Sequence, residues 1–180
     1  MKIGTKSILF GVHQFLWHPL TVGLAWRRLF CVWPTWREWF CIFVHDLGYW
    51  GKPNIDGPEG REHPKLGARL AWHYLDTYDG RNVTVATIPR AYHDLTLYHS
   101  REYAKLHNED PSLLCWADKY SVLCEPRWFY LLRARLSGEI KEFKSHAVPY
   151  IGSGSDRLWL NWYRLKIANL KEIREILDSK

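Results

Sequence analysis

The sequence has no run of about 18 uninterrupted apolar residues, the length that a membrane-spanning helix requires. The nearest stretch covers residues 8–26, and it is interrupted by His13, Gln14 and His18. That stretch also has no small-residue cleavage site of the kind that ends a secretory signal. These absences argue against a transmembrane or secreted protein, and they predict a cytoplasmic one without a membrane partner.

Cysteine is scarce, and no two cysteines are spaced as a motif. The 4 cysteines include no Cys-x-x-Cys pair, so the sequence lacks the usual zinc-finger and redox motifs and offers no disulfide framework. It also has no internal repeat and no low-complexity tract, so nothing in it predicts a repeat array. We predict reduced, buried thiols at Cys31, Cys41, Cys115 and Cys124.

Histidine, tryptophan and positive charge are abundant. The 180 residues include 9 His and 11 Trp, and 25 Lys and Arg against 19 Asp and Glu give a formal net charge of +6. A chain of this length suits one domain. The charge favours an anionic partner, such as a nucleotide, a nucleic acid or a phospholipid head group, without choosing among them. Most of the tryptophans, Trp36 among them, lie in apolar helical stretches and are expected to build the core.

Apolar residues recur at helical spacing along most of the chain. A helix predicted over 36–47 has Thr35 as its N-cap, and Glu38 completes a capping box. Strand-like alternation is weak and confined to 82–87. We therefore predict an all-α fold with a single compact domain over residues 1–180, the helices of 126–180 included. The other predicted elements are helices at 8–29 (broken at Pro19), 63–74, 87–106, 112–124 and 128–143, loops at 48–60 and 148–155, and a last amphipathic helix from Asp156.

The tetrapeptide Val44-His45-Asp46-Leu47 ends a predicted apolar helix and enters a glycine-rich loop. A buried aspartate beside a histidine is unfavourable unless both polar groups have partners. One interpretation is a divalent ion such as Mn, Fe, Co, Ni or Zn, which imidazole nitrogen and carboxylate oxygen both suit. The other is an N-cap aspartate beside a core histidine. His18 and Asp118, which also lie in apolar helical sequence, favour the metal interpretation.

The order His18, then His45-Asp46, then Asp118 resembles the HD superfamily of metal-dependent phosphohydrolases. The surroundings are similar as well, since residues 18–25 resemble the family's first helix, 43–48 its signature helix and 117–119 its closing aspartate. The resemblance covers about residues 10–125. It implies a helical domain, a metal site formed by these four residues, and hydrolysis of a phosphate ester by a metal-activated water.

A second histidine pattern resembles HD proteins that hold two metals. His63-Pro-Lys-Leu-Gly-Ala is similar to the His-Pro-x-x-Gly-Ala segment of those proteins, which include the HD-GYP group. There, this histidine and one or two later ones hold a second metal that shares the central aspartate, so His93 also remains a candidate ligand or substrate contact. We favour His99 over His93 as the later one, because Ser-Arg follows His99. The resemblance thus implies one or two divalent ions, with Mg added to the metals above, and Asp46 common to both sites.

The sequence departs from two branches of this superfamily. Residues 98–103 read YHSREY, so the GYP part of the HD-GYP signature is missing and specificity for cyclic di-GMP does not carry over. Leu-Gly-Tyr-Trp follows the His-Asp pair, where guanosine-tetraphosphate hydrolases have Glu-Asp, which argues against alarmone hydrolysis.

Cationic side chains near these motifs are candidates for contacts with phosphate. The predicted catalytic residues are Asp46, Lys119 and Arg101. Lys119 follows the closing aspartate, and Arg101 lies two residues after His99. Trp50 follows the His-Asp pair into the loop, where it could stack on a base or ribose. The predicted substrate-binding residues are Lys65, Arg69 and Trp50.

The favoured function is a metal-dependent phosphohydrolase acting on a small anionic substrate, a nucleotide or a related phosphate ester. One alternative is a non-catalytic HD-like module that binds metal or nucleotide. Another, less favoured, is a nucleic-acid-binding protein that uses the basic and aromatic residues around Arg27 and Arg127. The apolar stripe of the last helix would serve core closure or a homo-oligomer interface. Four histidines outside these patterns are expected to be structural: His13, His73, His107 and His146.

Overall fold

The computed structural model describes residues 1–77 and 91–145 in full, the helical backbone of 146–151, and residues 160, 163–164, 167–168 and 170–171. Most of these residues are helical and none forms a strand, so the predicted all-α fold is confirmed. The strand-like pattern at 82–87 lies outside the described residues. The helices are α1 (Ile3–Phe10), α2 (Trp17–Phe30), α3 (Trp36–Val44), α4 (Pro58–Arg61), α5 (Pro64–Ala71), α6 (Ala91–Leu97), α7 (Arg101–Leu106), α8 (Leu113–Ser121), α9 (Arg127–Ser137) and α10 (Glu139–Ile151), with a 3-10 turn at Leu47–Tyr49 and a π-helical turn at Trp72–Asp76.

Local signals set several helix starts. The capping box of α3 is confirmed: the Thr35 hydroxyl accepts from the Glu38 N–H, and the Thr35 N–H donates to Glu38 Oε2 at 2.6 Å. Helix α2 begins at Trp17, so Pro19 lies in its first turn, where its missing N–H leaves no hydrogen bond unmade. The second half of the helix predicted over 8–29 thus begins close to Pro19, but residues 11–16, which were predicted to be helical, separate α1 from α2.

Two predicted boundaries in the C-terminal part are wrong. The helix predicted over 128–143 is broken at Gly138, whose φ of +91° glycine adopts readily, so α9 and α10 are separate helices. The loop predicted from residue 148 is helical as far as Ile151, and residues 152–155 lie outside the described part. The predicted loop at 48–60 contains the 3-10 turn and the short α4.

The described helices are short. The longest is α2 with 14 residues, and none in the described part of the chain has the length and apolar character to cross a membrane. Isolated helices of this length are marginal in water, so their stability comes from packing on one another.

Two large apolar clusters form most of the core, and a small third one joins Ile8, Tyr49 and Ile55. One large cluster lies where α2 packs on α3 and α8, around Val22, Ile42 and Leu114. The other large cluster joins α2 to α9 and includes Tyr163 and Leu170 from the last predicted helix, both almost fully buried. At these two positions the apolar stripe closes the core. Trp159, Ile173 and Leu177 of the same stripe lie outside the described residues.

The cysteines and tryptophans follow the expectation only in part. Cys41 and Cys115 are buried, but Cys31 is exposed and Cys124 half-buried, and all four thiols are free. Trp26 is buried. Trp36 is 67% exposed, because it starts α3 on the outer side of the helix, where the Arg37 guanidinium covers its ring at 5.2 Å. The prediction that Trp36 belongs to the core is wrong.

Candidate metal centre

The predicted metal ligands come from five helices that pack on one another, most of them from a helix end. Helix α2 packs on α8, and α3 lies between α2 and α5, while α5 packs on α6. This packing brings an end of α2, α3, α5 and α6 and the second half of α8 toward a common point. The ligands lie in the first turn of α2 (His18), after the end of α3 (His45 and Asp46), just before α5 (His63), after α6 (His99) and on α8 (Asp118).

Two glycines allow α3 and α5 to approach closely at this point. A Cβ on Gly67 would lie 2.6 Å from the Val44 carbonyl oxygen. A Cβ on Gly48 would lie 2.0 Å from the carbonyl oxygen of His63. Both contacts are with backbone, which cannot move aside as a side chain can. The distance between His63 and the end of α3 therefore depends on glycine at these positions.

The first cluster consists of His18, His45, Asp46 and Asp118. His18 Nε2 lies 3.2 Å from Asp46 Oδ2 and 3.1 Å from Asp118 Oδ1. His45 Nε2 lies 3.1 Å from Asp46 Oδ2 and 4.0 Å from Asp118 Oδ1. Two imidazole nitrogens and two carboxylate oxygens from three helices thus converge on one buried point that could hold a metal ion.

The second cluster consists of Asp46, His63 and His99. The Nε2 atoms of His63 and His99 are 2.9 Å apart, and each lies 3.5 Å from Asp46 Oδ1. Oδ1 is the carboxylate oxygen of Asp46 that the first cluster does not use. Asp46 therefore bridges the two clusters, with one oxygen facing each.

Backbone carbonyls fix the tautomer of three of these histidines. Nδ1 of His45, His63 and His99 lies 2.6, 2.8 and 2.6 Å from the carbonyl oxygen three residues earlier in the chain. A carbonyl can only accept, so Nδ1 carries the hydrogen and donates it. Each Nε2 is left with a lone pair that faces its cluster, the orientation in which histidine binds metal.

Unpaired polar atoms at both clusters indicate that the residues fit a cation. His18 Nε2, His45 Nε2 and Asp46 Oδ2 are buried and have no hydrogen-bond partner among the described residues. The lone pairs of His63 and His99 face one another at 2.9 Å. Both features are unfavourable unless a cation lies between the atoms. Donors that bind one ion at their usual bond lengths lie about 3 Å apart, which agrees with the shortest separations here. The residues therefore fit a divalent ion.

The buried charges shift one another's pKa values. Burial alone would lower the pKa of His18, but Asp118 and Asp46 raise it to about 9. Burial would raise the pKa values of Asp46 and Asp118, yet the neighbouring side chains, first His45 for Asp46 and Lys119 for Asp118, hold the pKa values of both carboxyls well below the usual range. Burial lowers the pKa of His63, so its ring is neutral near pH 7.

Two cavities open onto the clusters. The larger, of about 280 Å³, is lined by His63, His99 and Arg101. The smaller, of about 170 Å³, is lined by His18 and Glu125. The two cavities share part of their wall, so both lead to the same centre. The residues common to both are His13, Tyr49, Ile55, Asp56, Asp118 and Lys119.

Outside the metal clusters, two of the five residues predicted to contact or act on the substrate line the cavities, and three do not. Lys119 and Arg101 line the cavities, and Lys119 Nζ lies 2.9 Å from Asp118 Oδ2. The other three line neither cavity. Lys65 is exposed and pairs with Glu62, whereas Trp50 is 59% exposed and Arg69 is exposed on α5.

Most histidines outside the clusters take no part in the metal centre. His93 binds Asp94 through Nδ1 at 2.7 Å and lies in neither cluster, whereas His99 lies in the second cluster, as favoured. His73 is exposed, and His107 Nδ1 contacts the Tyr103 carbonyl. The side chain of His146 lies outside the described residues.

His13 is the exception among the histidines that we expected to be structural. It lines both cavities and bonds to Glu139, 126 residues later in the chain. No local pattern around His13 indicates this contact.

No family model matches the chain, and no curated protein or solved structure matches it. The resemblance to the HD superfamily therefore rests on the residues themselves. A helical structure with buried His/Asp clusters that could bind a metal is compatible with an HD-type fold.

Proposed function

We propose that this protein is a metal-dependent phosphohydrolase that acts on a nucleotide or a related small phosphate ester. The observation that carries the proposal is Asp46, whose two carboxylate oxygens each face a separate set of histidine Nε2 atoms. A carboxylate in this position suits two divalent ions held side by side, as in two-metal hydrolases of phosphate esters. The resemblance to the HD superfamily supports the same reaction class.

In this proposal each cluster holds one ion. When bound, such ions lower the pKa of a coordinated water and neutralise charge on phosphate oxygens. The chain contributes rigidity, because backbone carbonyls hold the rings of His45, His63 and His99 in one tautomer and orientation. Asp46 fixes the separation of the two clusters, since its two oxygens are part of one rigid group.

Two cations are placed to bind the phosphate. Asp118 raises the pKa of Lys119, so its ammonium is charged at neutral pH, and its side chain is about one third exposed toward the cavities. Arg101 is exposed at the larger cavity, and its guanidinium can bind two phosphate oxygens at once. Lys65, Arg69 and Trp50 would contact only a substrate that extends beyond the cavities.

The size of the cavities supports a small substrate. At about 280 and 170 Å³ with a shared wall, they approach the usual range of small-molecule sites, about 300–1,000 Å³. A nucleotide is of this size, and its phosphate would meet both clusters and both cations.

The test is metal analysis followed by hydrolysis assays on tag-free protein. We expect at least one equivalent of transition metal, taken up if not already present, and release of phosphate or nucleoside from a panel of nucleotides with Mn, Co, Ni, Zn or Mg. D46A should abolish turnover and leave the helical circular dichroism unchanged. D94A is the matched control, because Asp94 is about half exposed and lies outside both clusters.

Two outcomes would contradict the proposal. Metal well below one equivalent with none gained on addition would mean that the clusters do not bind metal. Turnover that survives in D46A would remove the assigned role of this carboxylate. Metal binding without turnover on any ester would instead support the non-catalytic metal- or nucleotide-binding module.

A further inference from the structure

Glu139, the first residue of α10, is a fully buried carboxylate outside both clusters. It accepts hydrogen bonds from four donors. Oε2 accepts from the Val12 N–H at 2.9 Å and from the Ser137 hydroxyl, and Oε1 accepts from the Ser7 hydroxyl and lies 3.0 Å from His13 Nδ1. The surroundings of this carboxylate thus join α1, the turn after it, and the α9–α10 junction.

These contacts determine where the hydrogen on His13 lies. Burial would raise the pKa of Glu139, but the hydrogen bonds from His13, Ser137 and Ser7 lower it, so the carboxylate is ionised and can only accept. The single hydroxyl hydrogen of Ser7 is donated to Glu139. Nδ1 of His13, 2.8 Å from Ser7 Oγ and 3.0 Å from Glu139 Oε1, must therefore be the donor in its own contacts.

With Nδ1 engaged, Nε2 is the free ring nitrogen of His13. No described residue bonds to it, and His13 lines the wall that both cavities share. The ring meets His18 edge-on at 5.5 Å between centroids and tilts against Tyr49 at 4.8 Å. The side chain is 16% exposed. An oriented imidazole thus borders the space in which a substrate of the metal centre would lie.

Packing alone does not explain this arrangement. A buried carboxylate is unfavourable unless every lone pair is satisfied, and an apolar side chain would fill the same place without that requirement. The chain also keeps Gly11 beside it, where a Cβ would lie 2.6 Å from Glu139 Oε2. A carboxylate that holds one ring nitrogen so that the other faces a site is the arrangement used to orient catalytic and metal-binding histidines.

We propose that His13 is a further residue of the active site, whose Nε2 accepts a hydrogen bond from a hydroxyl group of the bound phosphate ester, and that Glu139 is the positioning residue that orients its ring. The identity of the ligand rests on the proposed function. The orientation of the ring does not, and it is tested separately.

The orientation is tested by NMR on the full, metal-free chain with ¹⁵N-labelled histidine. The His13 signals are assigned by their loss in H13N. We expect a hydrogen-bonded proton on Nδ1 of His13, and a changed chemical shift for it in E139Q, which removes the charge but keeps the shape. A hydrogen found on Nε2 alone would overturn the proposal, whatever the activity of the protein.

The substrate contact is tested with H13N. The asparagine amide can replace Nδ1 as the donor to Glu139, but it has no counterpart of Nε2. We expect unchanged metal content and melting temperature, and kcat/KM lowered about 10- to 100-fold, the effect of leaving a substrate hydroxyl in the site without its acceptor. H107N is the matched control, because His107 also bonds through Nδ1 but lines neither cavity.

The remaining outcomes separate this proposal from the proposed function. An active wild type with an equally active H13N would overturn the role of His13 alone. If the wild type binds metal but hydrolyses nothing, the readout becomes affinity for inorganic phosphate, which has a hydroxyl group at neutral pH. H13N should weaken this affinity by the same factor, and equal affinities would overturn the contact. If H13N does not fold, H13Q replaces it, since its longer amide can reach the position of Nε2 and should retain more activity than H13A.

Discussion

His18 is an imidazole between two carboxylates. Its Nε2 lies 3.2 Å from Asp46 Oδ2 and 3.1 Å from Asp118 Oδ1, in a place that water barely reaches. Burial alone would lower the pKa of His18, but in the metal-free protein the two carboxylates stabilise the protonated ring and raise the pKa to about 9. The proton occupies the place that a metal ion would take, so metal and proton compete for the first cluster.

This competition makes the stability of the metal-free protein depend on pH. A pKa raised from 6.5 to about 9 means that protonated His18 stabilises the fold fully below pH 6.5, and this contribution is lost as the pH rises through about 9. We expect the free energy of unfolding in the presence of chelator to fall by about 3 kcal/mol over that interval. Urea titrations at pH 6.5 and 9.5 measure it. H18N should remove the fall, and an equal fall in H18N would show that another group causes it.

The residues of the two clusters were within reach of sequence reasoning, and His13 was not. His45-Asp46, His18 and Asp118 each lie in apolar sequence, where an isolated polar residue is unfavourable unless it has a partner. His13 has its partner Glu139 on a helix 126 residues away, and the meeting of the two depends on how α10 follows Gly138. A contact made only by tertiary structure leaves no local pattern.

At the scale of the helices, backbone meets backbone at the junction of α3 and α5. The backbone at Gly48 touches the carbonyl of His63, so these two segments are held at a fixed distance without any side chain between them. The second cluster needs that distance, because His63 and Asp46 lie on opposite sides of the junction.

Substitution of Gly48 tests this dependence. In G48A the new Cβ would lie 2.0 Å from a backbone oxygen, so the segments must separate. We expect a loss of about 1–3 kcal/mol of stability together with loss of metal from the second cluster. The control is G51A, where φ of +79° disfavours alanine by about 1 kcal/mol but nothing lies near the Cβ, so metal content should stay normal. Equal metal content in the two variants would contradict the argument.

Helix starts were more predictable than helix ends. The cap of α3 is encoded by Thr35 and Glu38, which lie three residues apart. The break between α9 and α10 depends on the positive φ of Gly138. A glycine within a helical pattern does not by itself predict a break, because helices also tolerate single glycines. The π-helical turn at Trp72–Asp76 has no signal in apolar spacing, because it inserts itself into an otherwise regular pattern.

At the scale of the whole molecule, the two clusters connect residues from 18 to 118, so metal binding favours the folded chain over the unfolded one. At a free metal concentration of 100 times Kd, one site adds about 2.7 kcal/mol. For a chain of this length the melting temperature should then rise by about 5–10 °C, as differential scanning calorimetry with and without chelator would show. D46N, which alters both clusters at once, should show no rise. A rise of the same size in D46N would place the metal elsewhere.

His45, His63 and His99 each contact the carbonyl oxygen three residues earlier in the chain. The effect of an insertion or deletion on the metal centre therefore depends on whether it falls inside one of these four-residue segments. Each ring is oriented within its own tetrad, at 42–45, 60–63 and 96–99. An inserted or deleted residue inside a tetrad would rotate one ring away from the centre. The same change between tetrads leaves all three rings oriented, provided that the helices still meet. The metal centre is thus assembled from short units of fixed length, and we expect natural and engineered insertions to be tolerated only between them.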